Sequence, residues 1–204
     1  MIINSFESLV IEINKILKKK SKINVMLTGG KSIAKFYIYL SKNVDEKFWS
    51  KSNFYLTDER LFESRENTNY YMIKKTLFKN FRNNEINFNK FYNKKKTIKD
   101  NLNFFDKKLK KKMDIIFLSY AKDGHIASLF PNLRPSTSKK NVCYVINKEN
   151  KFKHRISITK SFILHNKNKY LFFIGKEKRQ IFQSFKNGKL KSNKLFKNFN
   201  FILA

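Results

Sequence analysis

Three short runs in this 204-residue sequence combine residue types that can do chemistry. Asp123-Gly124-His125 sets a carboxylate, a flexible backbone joint and an imidazole within one turn. An imidazole of unperturbed pKa about 6.5 can take and return a proton near neutrality, so His125 is a candidate general acid–base. Asp58-Glu59-Arg60 brings two carboxylates and a guanidinium together. Gly29-Gly30-Lys31-Ser32 suits an anion. Its glycines let backbone N–H groups approach a phosphate, and Ser32 is expected to cap the helix that starts there. The spacing is neither that of a Walker loop nor G-x-G-x-x-G, so this turn does not imply a nucleotide.

Each run follows a candidate strand. Residues 23–28 lead into the Gly-Gly turn, and 53–57 lead into Asp58. Residues 114–118 form an apolar run without alternation, as in a strand buried on both faces, and lead towards Asp123. Open α/β sheets place ligands at the carboxyl ends of their strands. Helices are expected over 1–20, over 33–40, from Thr68 to about 81, around 98–109 and up to 185. Further strands are expected at 142–147 and 170–174, while 155–159 fits a strand or the entry to a helix. Residues 195–204 are aromatic and are expected to pack on the core. Strands alternating with helices, with no visible linker or repeat, predict one α/β domain over 1–204 with a mainly parallel sheet.

Composition narrows the classes. Hydrophobic residues make up 41% and aromatic residues 16%, with 22 phenylalanines, enough to build a core. No stretch approaches the roughly 20 apolar residues of a membrane span, and the N-terminal region lacks a signal-peptide pattern, so a cytoplasmic location is expected. Cys143 is the only cysteine, which excludes an internal disulfide and predicts a buried, inert thiol. The net charge of +30 would ordinarily suggest nucleic acid. Here, however, lysine far outnumbers arginine, clusters at 18–20, 94–96 and 107–112, and accompanies abundant Asn, Ile and Phe. That profile fits a compositional bias with a solvated surface, and nucleic acid is not the expected partner. The charge can still steer an anionic substrate.

The string Asp123-Gly124-His125-x-Ala127-Ser128-Leu129-Phe130-Pro131 resembles the signature of the 6-phosphogluconolactonases, which share a group with the glucosamine-6-phosphate deaminases. Other landmarks follow in family order. Gly29, Gly30 and Ser32 are similar to the Gly-Gly-Ser/Thr loop, and Asp58, Glu59 and Arg60 match Asp-Glu-Arg. Thr68, Asn69 and Tyr70 resemble Ser-Asn-Tyr. Arg155, Ile156 and Ser157 resemble the late Arg-hydrophobic-Thr segment, and Gly175 and Lys178 match Gly-x-x-Lys. The resemblance covers about 25–178. It implies a Rossmann-like three-layer α/β sandwich and hydrolysis of 6-phospho-D-glucono-1,5-lactone in the oxidative pentose phosphate pathway. Two departures stand out. Ser119-Tyr120-Ala121 replaces the family's Gly-x-Gly, and Ile33 replaces the Pro after the Gly-Gly loop; both bear on substrate fit more than on fold.

With that resemblance, the residues take candidate roles. His125 activates water and returns a proton to the departing ring oxygen. Asp123 or Asp58 holds the imidazole or the loop. Arg60 stabilises the oxyanion or anchors sugar hydroxyls. Ser32, Arg155, Lys178 and backbone N–H groups at Gly30 and Lys31 hold the phosphate, with Gly29, Asn69 and Gly124 also in the binding set. No cofactor or metal is expected, because His154 and His165 lack ligand spacing with His125. The partner expected is a small sugar phosphate. A decayed, non-catalytic sugar-phosphate binder is one alternative. A related isomerase or deaminase is another, but its continuation after Asp-Gly-His carries a Glu, which Ala127–Pro131 lacks.

Overall fold

Apolar runs without alternation become strands covered on both faces. In the computed structural model, which describes residues 1–82, 85–109, 112–187, 196 and 198–203, they build two sheets. In chain order the elements are β1 (Ile2–Ile3), α1 (Phe6–Lys18), β2 (Ile23–Leu27), α2 (Ala34–Asn43), α3 (Lys47–Lys51), β3 (Ser52–Leu56) and β4 (Asp58–Arg60). Next come α4 (Asn69–Thr76), β5 (Asn87–Asn89), α5 (Ile98–Lys108), β6 (Ile115–Ser119), β7 (Thr137–Ser138) and β8 (Val142–Ile146). Then follow β9 (His154–Ile158), α6 (Lys160–His165), β10 (Lys169–Phe172), α7 (Lys176–Lys186) and β11 (Asn200–Ile202).

The larger sheet has seven strands in the order β1-β11-β10-β6-β2-β3-β5. Every pairing in it is parallel. From Val25 to Leu27 and from Ile115 to Leu118 every side chain is fully buried. Successive strand residues point to opposite faces, so both faces of the sheet centre are covered. Phenylalanine does much of the covering. Phe36 of α2 meets Phe117 of β6 at 5.4 Å and Phe172 of β10 at 4.9 Å between ring centres. Such pairs add about 0.5–1.5 kcal/mol each beyond their buried area. Asp114 fixes the start of β6, its Oδ2 accepting from Asn24 N at 2.8 Å and its Oδ1 lying 2.5 Å from Lys20 Nζ.

This is the expected α/β architecture with a mainly parallel sheet. The sequence reading did not anticipate a second, antiparallel sheet, β4-β9-β8-β7. The expected helix over 1–20 starts later, because Ile2 and Ile3 pair with Phe201 and Ile202. Ser5 then caps α1, its Oγ accepting from Ser8 N at 3.1 Å. Residues 155–159 resolve into β9 and a Thr159 cap on α6. The helix from Thr68 ends at Thr76, short of 81. The 107–112 basic cluster and the 195–204 segment lie partly outside the described residues; within the latter, Phe196, Phe199 and Ile202 are buried.

Candidate active site

The chain order of the strands reverses between β2 and β6. From β2 it runs outward through β3 to β5, and from β6 it runs the other way through β10 to β11. Ligands bind outside the carboxyl ends of strands at such a switch point. A cavity of about 130 Å³ lies there. Thr28, Gly29, Gly30 and Ser32 reach it from the end of β2, and Ser119, Ala121, His125 and Ala127 from the end of β6. Lys178 comes from the first turn of α7, which follows β10.

The antiparallel sheet supplies the far wall. In its register Asp58 faces Ser157, Glu59 faces Ile156 and Arg60 faces Arg155. Strand alternation puts Asp58 and Arg60 on one face, where both line the cavity with Arg155. Two arginines directly opposite would repel, so each is held by acceptors. Arg155 Nε donates to Phe152 O at 3.1 Å and its Nη2 to Asn150 Oδ1 at 3.0 Å; its Nη1 lies 3.9 Å from Asp58 Oδ2. Arg60 Nη1 donates to Asn67 O at 2.8 Å, and its guanidinium lies 4.2 Å from the Phe152 ring centre. Its Nε is buried without a hydrogen-bond partner. Buried polar atoms are seldom left so.

Asp58 is buried, accepting from Ser128 Oγ at 2.7 Å and from Thr57 Oγ1 at 3.1 Å. It therefore ties the β6 loop to the second sheet. Asp58 does not hold the imidazole directly. That contact belongs to Asp123, whose Oδ1 lies 2.6 Å from His125 Nδ1. With Nδ1 engaged, Nε2 is the ring nitrogen left for proton transfer. Burial pushes the His125 pKa below its ordinary 6.5, partly offset by Asp123 and Asp58 and reinforced by Arg155. The imidazole is thus neutral at pH 7, as a base must be.

Glu59 points away from the cavity and has a different task. Its Oε1 accepts from Arg60 N at 2.8 Å and Asn69 N at 2.7 Å, and its Oε2 from Tyr70 N at 2.8 Å. Burial raises its pKa to about 7, against the pull of these three N–H groups. The carboxylate anchors the start of α4 and so sets Asn69, whose Nδ2 donates to Asp58 O at 3.0 Å. Asn69 in turn packs on Gly29, where an added Cβ would fall 2.0 Å from Asn69 Oδ1. Glu59→Ala would orphan three backbone donors. The expected cost is about 2–4 kcal/mol of stability, read as a lower denaturation midpoint in urea. An unchanged midpoint would show that Glu59 anchors nothing.

Lys178 Nζ donates to Ser32 Oγ and to Ser119 Oγ, each at 3.1 Å, and the two hydroxyls are 3.4 Å apart. Burial and Lys122 lower its pKa. Ser32 does not cap a helix as expected, because a 3₁₀ turn (Lys31–Ile33) precedes α2 and neither helical start has a side-chain cap. Gly30 at φ 109° lets the chain make that turn. Ser119 and Ala121, the family departures, are not among the positive-φ residues, so their side chains cause no backbone strain. Tyr120 turns away and stacks on Phe173 at 5.0 Å. The left-handed residue here is Ala127, at φ 50°. It lies in the tight turn bridged by Ile126 and Leu129, at a cost of roughly 1–2 kcal/mol.

Nine of the twelve expected site residues line one cavity: Gly29, Gly30, Ser32, Asp58, Arg60, Asn69, His125, Arg155 and Lys178. Asp123 and Gly124 stand behind His125 in its loop, and Lys31 is exposed and does not line the cavity. Sequence reasoning missed Ser119, Thr28, Ala121 and Ala127 as lining residues. Ser119 closes the apolar run of the central strand, and its hydroxyl at that carboxyl end was the available signal. His154 and His165 lie elsewhere, against Tyr144 and Ser161. Cys143 is buried, its thiol pushed up to about 12.

The pattern described as glucosamine-6-phosphate isomerases/6-phosphogluconolactonase matches residues 1–194. The chain belongs to this family. A 6-phosphogluconolactonase from Borreliella burgdorferi is 30% identical over 178 residues, covering 82% of this chain and 74% of that protein. Among solved structures, a 6-phosphogluconolactonase from Shewanella baltica superposes with a TM-score of 0.78 at 20% identity, over 98% of this chain and 95% of that one. One from Thermotoga maritima gives 0.76 at 18%, over 99% and 96%. At such identities the two structures establish the family fold. Among the described residues, no helix is long and apolar enough to cross a membrane.

Proposed function

We propose that this family member hydrolyses 6-phospho-D-glucono-1,5-lactone to 6-phospho-D-gluconate, in the cytoplasm and within the oxidative pentose phosphate pathway. The observation that carries the reading is His125, held by Asp123 and opening on the same small cavity as Lys178, Ser32 and Arg60. His125 Nε2 takes a proton from water, whose oxygen attacks the lactone carbonyl carbon. Arg60, which lines the cavity, stabilises the oxyanion or anchors a sugar hydroxyl. The bond from carbonyl carbon to ring oxygen then breaks, and the imidazolium returns its proton to that oxygen. Lys178, Ser32 and Ser119 take the phosphate, whose charge offsets the desolvation of the ammonium. The partner is a small sugar phosphate rather than nucleic acid. The test is the decay of freshly generated lactone with and without protein, since it opens unaided and the blank sets the scale. A rate equal to the blank from folded protein would replace this reading with a non-catalytic binder.

The pH profile tests the role of Asp123. Because His125 must be unprotonated, activity falls on the acid side, through a pKa below 6.5. Asp123 raises that pKa, so Asp123→Asn should move the acid limb to still lower pH. It should also reduce kcat at pH 7 by on the order of tenfold, as the imidazole loses the carboxylate charge that orients it and stabilises the imidazolium. A limb that moves upward would contradict the assignment.

A further inference from the structure

Arg60 also lines a second, larger cavity of about 690 Å³, bounded by α4, β5 and α5. Its wall carries five further cations, Arg65, Lys90, Lys94, Lys96 and Lys108. The one carboxylate there, Glu59, is turned to backbone N–H groups. Among the described residues none of the five cations forms an ion pair with a carboxylate. Aromatic faces hold four of them instead, and a carbonyl the fifth. Lys96 and Lys108 Nζ lie 5.2 and 5.3 Å from the Phe104 ring centre, and Lys90 Nζ lies 5.3 Å from that of Tyr70. Arg65 rests 4.9 Å from the Tyr71 ring, and Lys94 donates to the Glu63 carbonyl at 3.1 Å. Rings fix ammonium groups without neutralising them, so the positive potential is left for a ligand.

Two features narrow that ligand. A single phosphate would leave most of this charge uncompensated, so several linked phosphates fit better. The aromatic groups are also accessible: Phe104 is 47% exposed, and half-buried Tyr70 and Phe88 stack at 4.6 Å. The volume falls within the roughly 300–1,000 Å³ of small-molecule sites. We infer that this cavity binds a nucleoside polyphosphate, with its phosphates among the five cations and its base against the Tyr70–Phe88 or Phe104 rings. The site is distinct from the lactone cavity and shares only the Arg60 wall with it.

The test is calorimetric titration of the whole protein with ATP, so it reads binding and does not depend on lactone hydrolysis. The combined variant Lys96→Gln, Lys108→Gln should bind ATP about tenfold more weakly or worse. Lys178→Ala, in the other cavity, should bind it like the unaltered protein. Inorganic tripolyphosphate should bind more weakly than ATP, because it lacks the ring. No ATP binding by folded protein, equal binding by the combined variant, or loss of binding in Lys178→Ala would each overturn the inference. So would tripolyphosphate binding as tightly as ATP. Affinity for single-stranded oligothymidylate that exceeds that for ATP and rises with length would instead identify an open strand-binding surface.

Discussion

Replacing His125 with alanine should slow lactone hydrolysis by about 10²–10⁴-fold while leaving the fold intact. The reason for the large effect is that the cavity holds no second group suited to the task. Arg60 and Arg155 offer only hydrogen-bond donors. Asp58 accepts from Ser128 and Thr57 and is tied to Arg155. Lys178 is committed to two hydroxyls. The reason for an intact fold is equally local. The ring touches Asp123, which is half exposed, and Phe130, whose ring centre is 4.5 Å away. The measurement is initial-rate decay of fresh lactone beside a thermal melt. Near-normal turnover in a folded variant would remove His125 from the role of base.

Asp58→Ala should have the largest effect on stability, about 3–5 kcal/mol, because it leaves the buried Arg155 without its counter-charge. In a chain of this length that lowers the melting midpoint by about 10 °C. The loss has a second part. Ser128 Oγ loses its acceptor, and the Ala127 turn, already left-handed, loses the tie to β4. Activity should therefore fall along with stability. Asp58→Asn keeps an acceptor for Ser128 and separates the two parts, retaining more of the midpoint. An Asp58→Ala melt that coincides with the unaltered protein would show that Arg155 is satisfied by Asn150, Phe152 and Ser128.

What could be read from the sequence follows from where the information is local. Apolar runs ending in Gly29, Asp58 and the loop to His125 announce buried strands and their carboxyl ends, because burial on both faces dictates the residues one by one. The parallel sheet follows from that, as does the gathering of Gly29, Gly30, Ser32, Asp58, Arg60 and His125, whereas Asn69, Arg155 and Lys178 were legible only through the family resemblance. The second sheet was hidden because β4 is only Asp58–Arg60 and reads as a charged loop until β9 pairs with it. The partners of Ser119 and Ser128 were hidden because a serine says nothing about what it will bond. Only the fold brings Lys178 to one and Asp58 to the other. Ser32 misled because a capping residue and a ligand-facing hydroxyl look alike before a helix, and the 3₁₀ turn decides between them.

The pairing of Ile2 with Phe201 bears on how the molecule is made. One edge of the large sheet is laid by strands far apart in the sequence, so β1 is made long before the neighbour it pairs with. Until β11 emerges, β10 also lacks the partner on that side. The nascent chain can assemble β2, β3, β5 and β6 early, but its hydrophobic edge stays open until synthesis nears Ile202. Contacts of such long sequence separation close late and slowly. For this protein the interval of greatest exposure to aggregation closes when β11 joins β1 and β10.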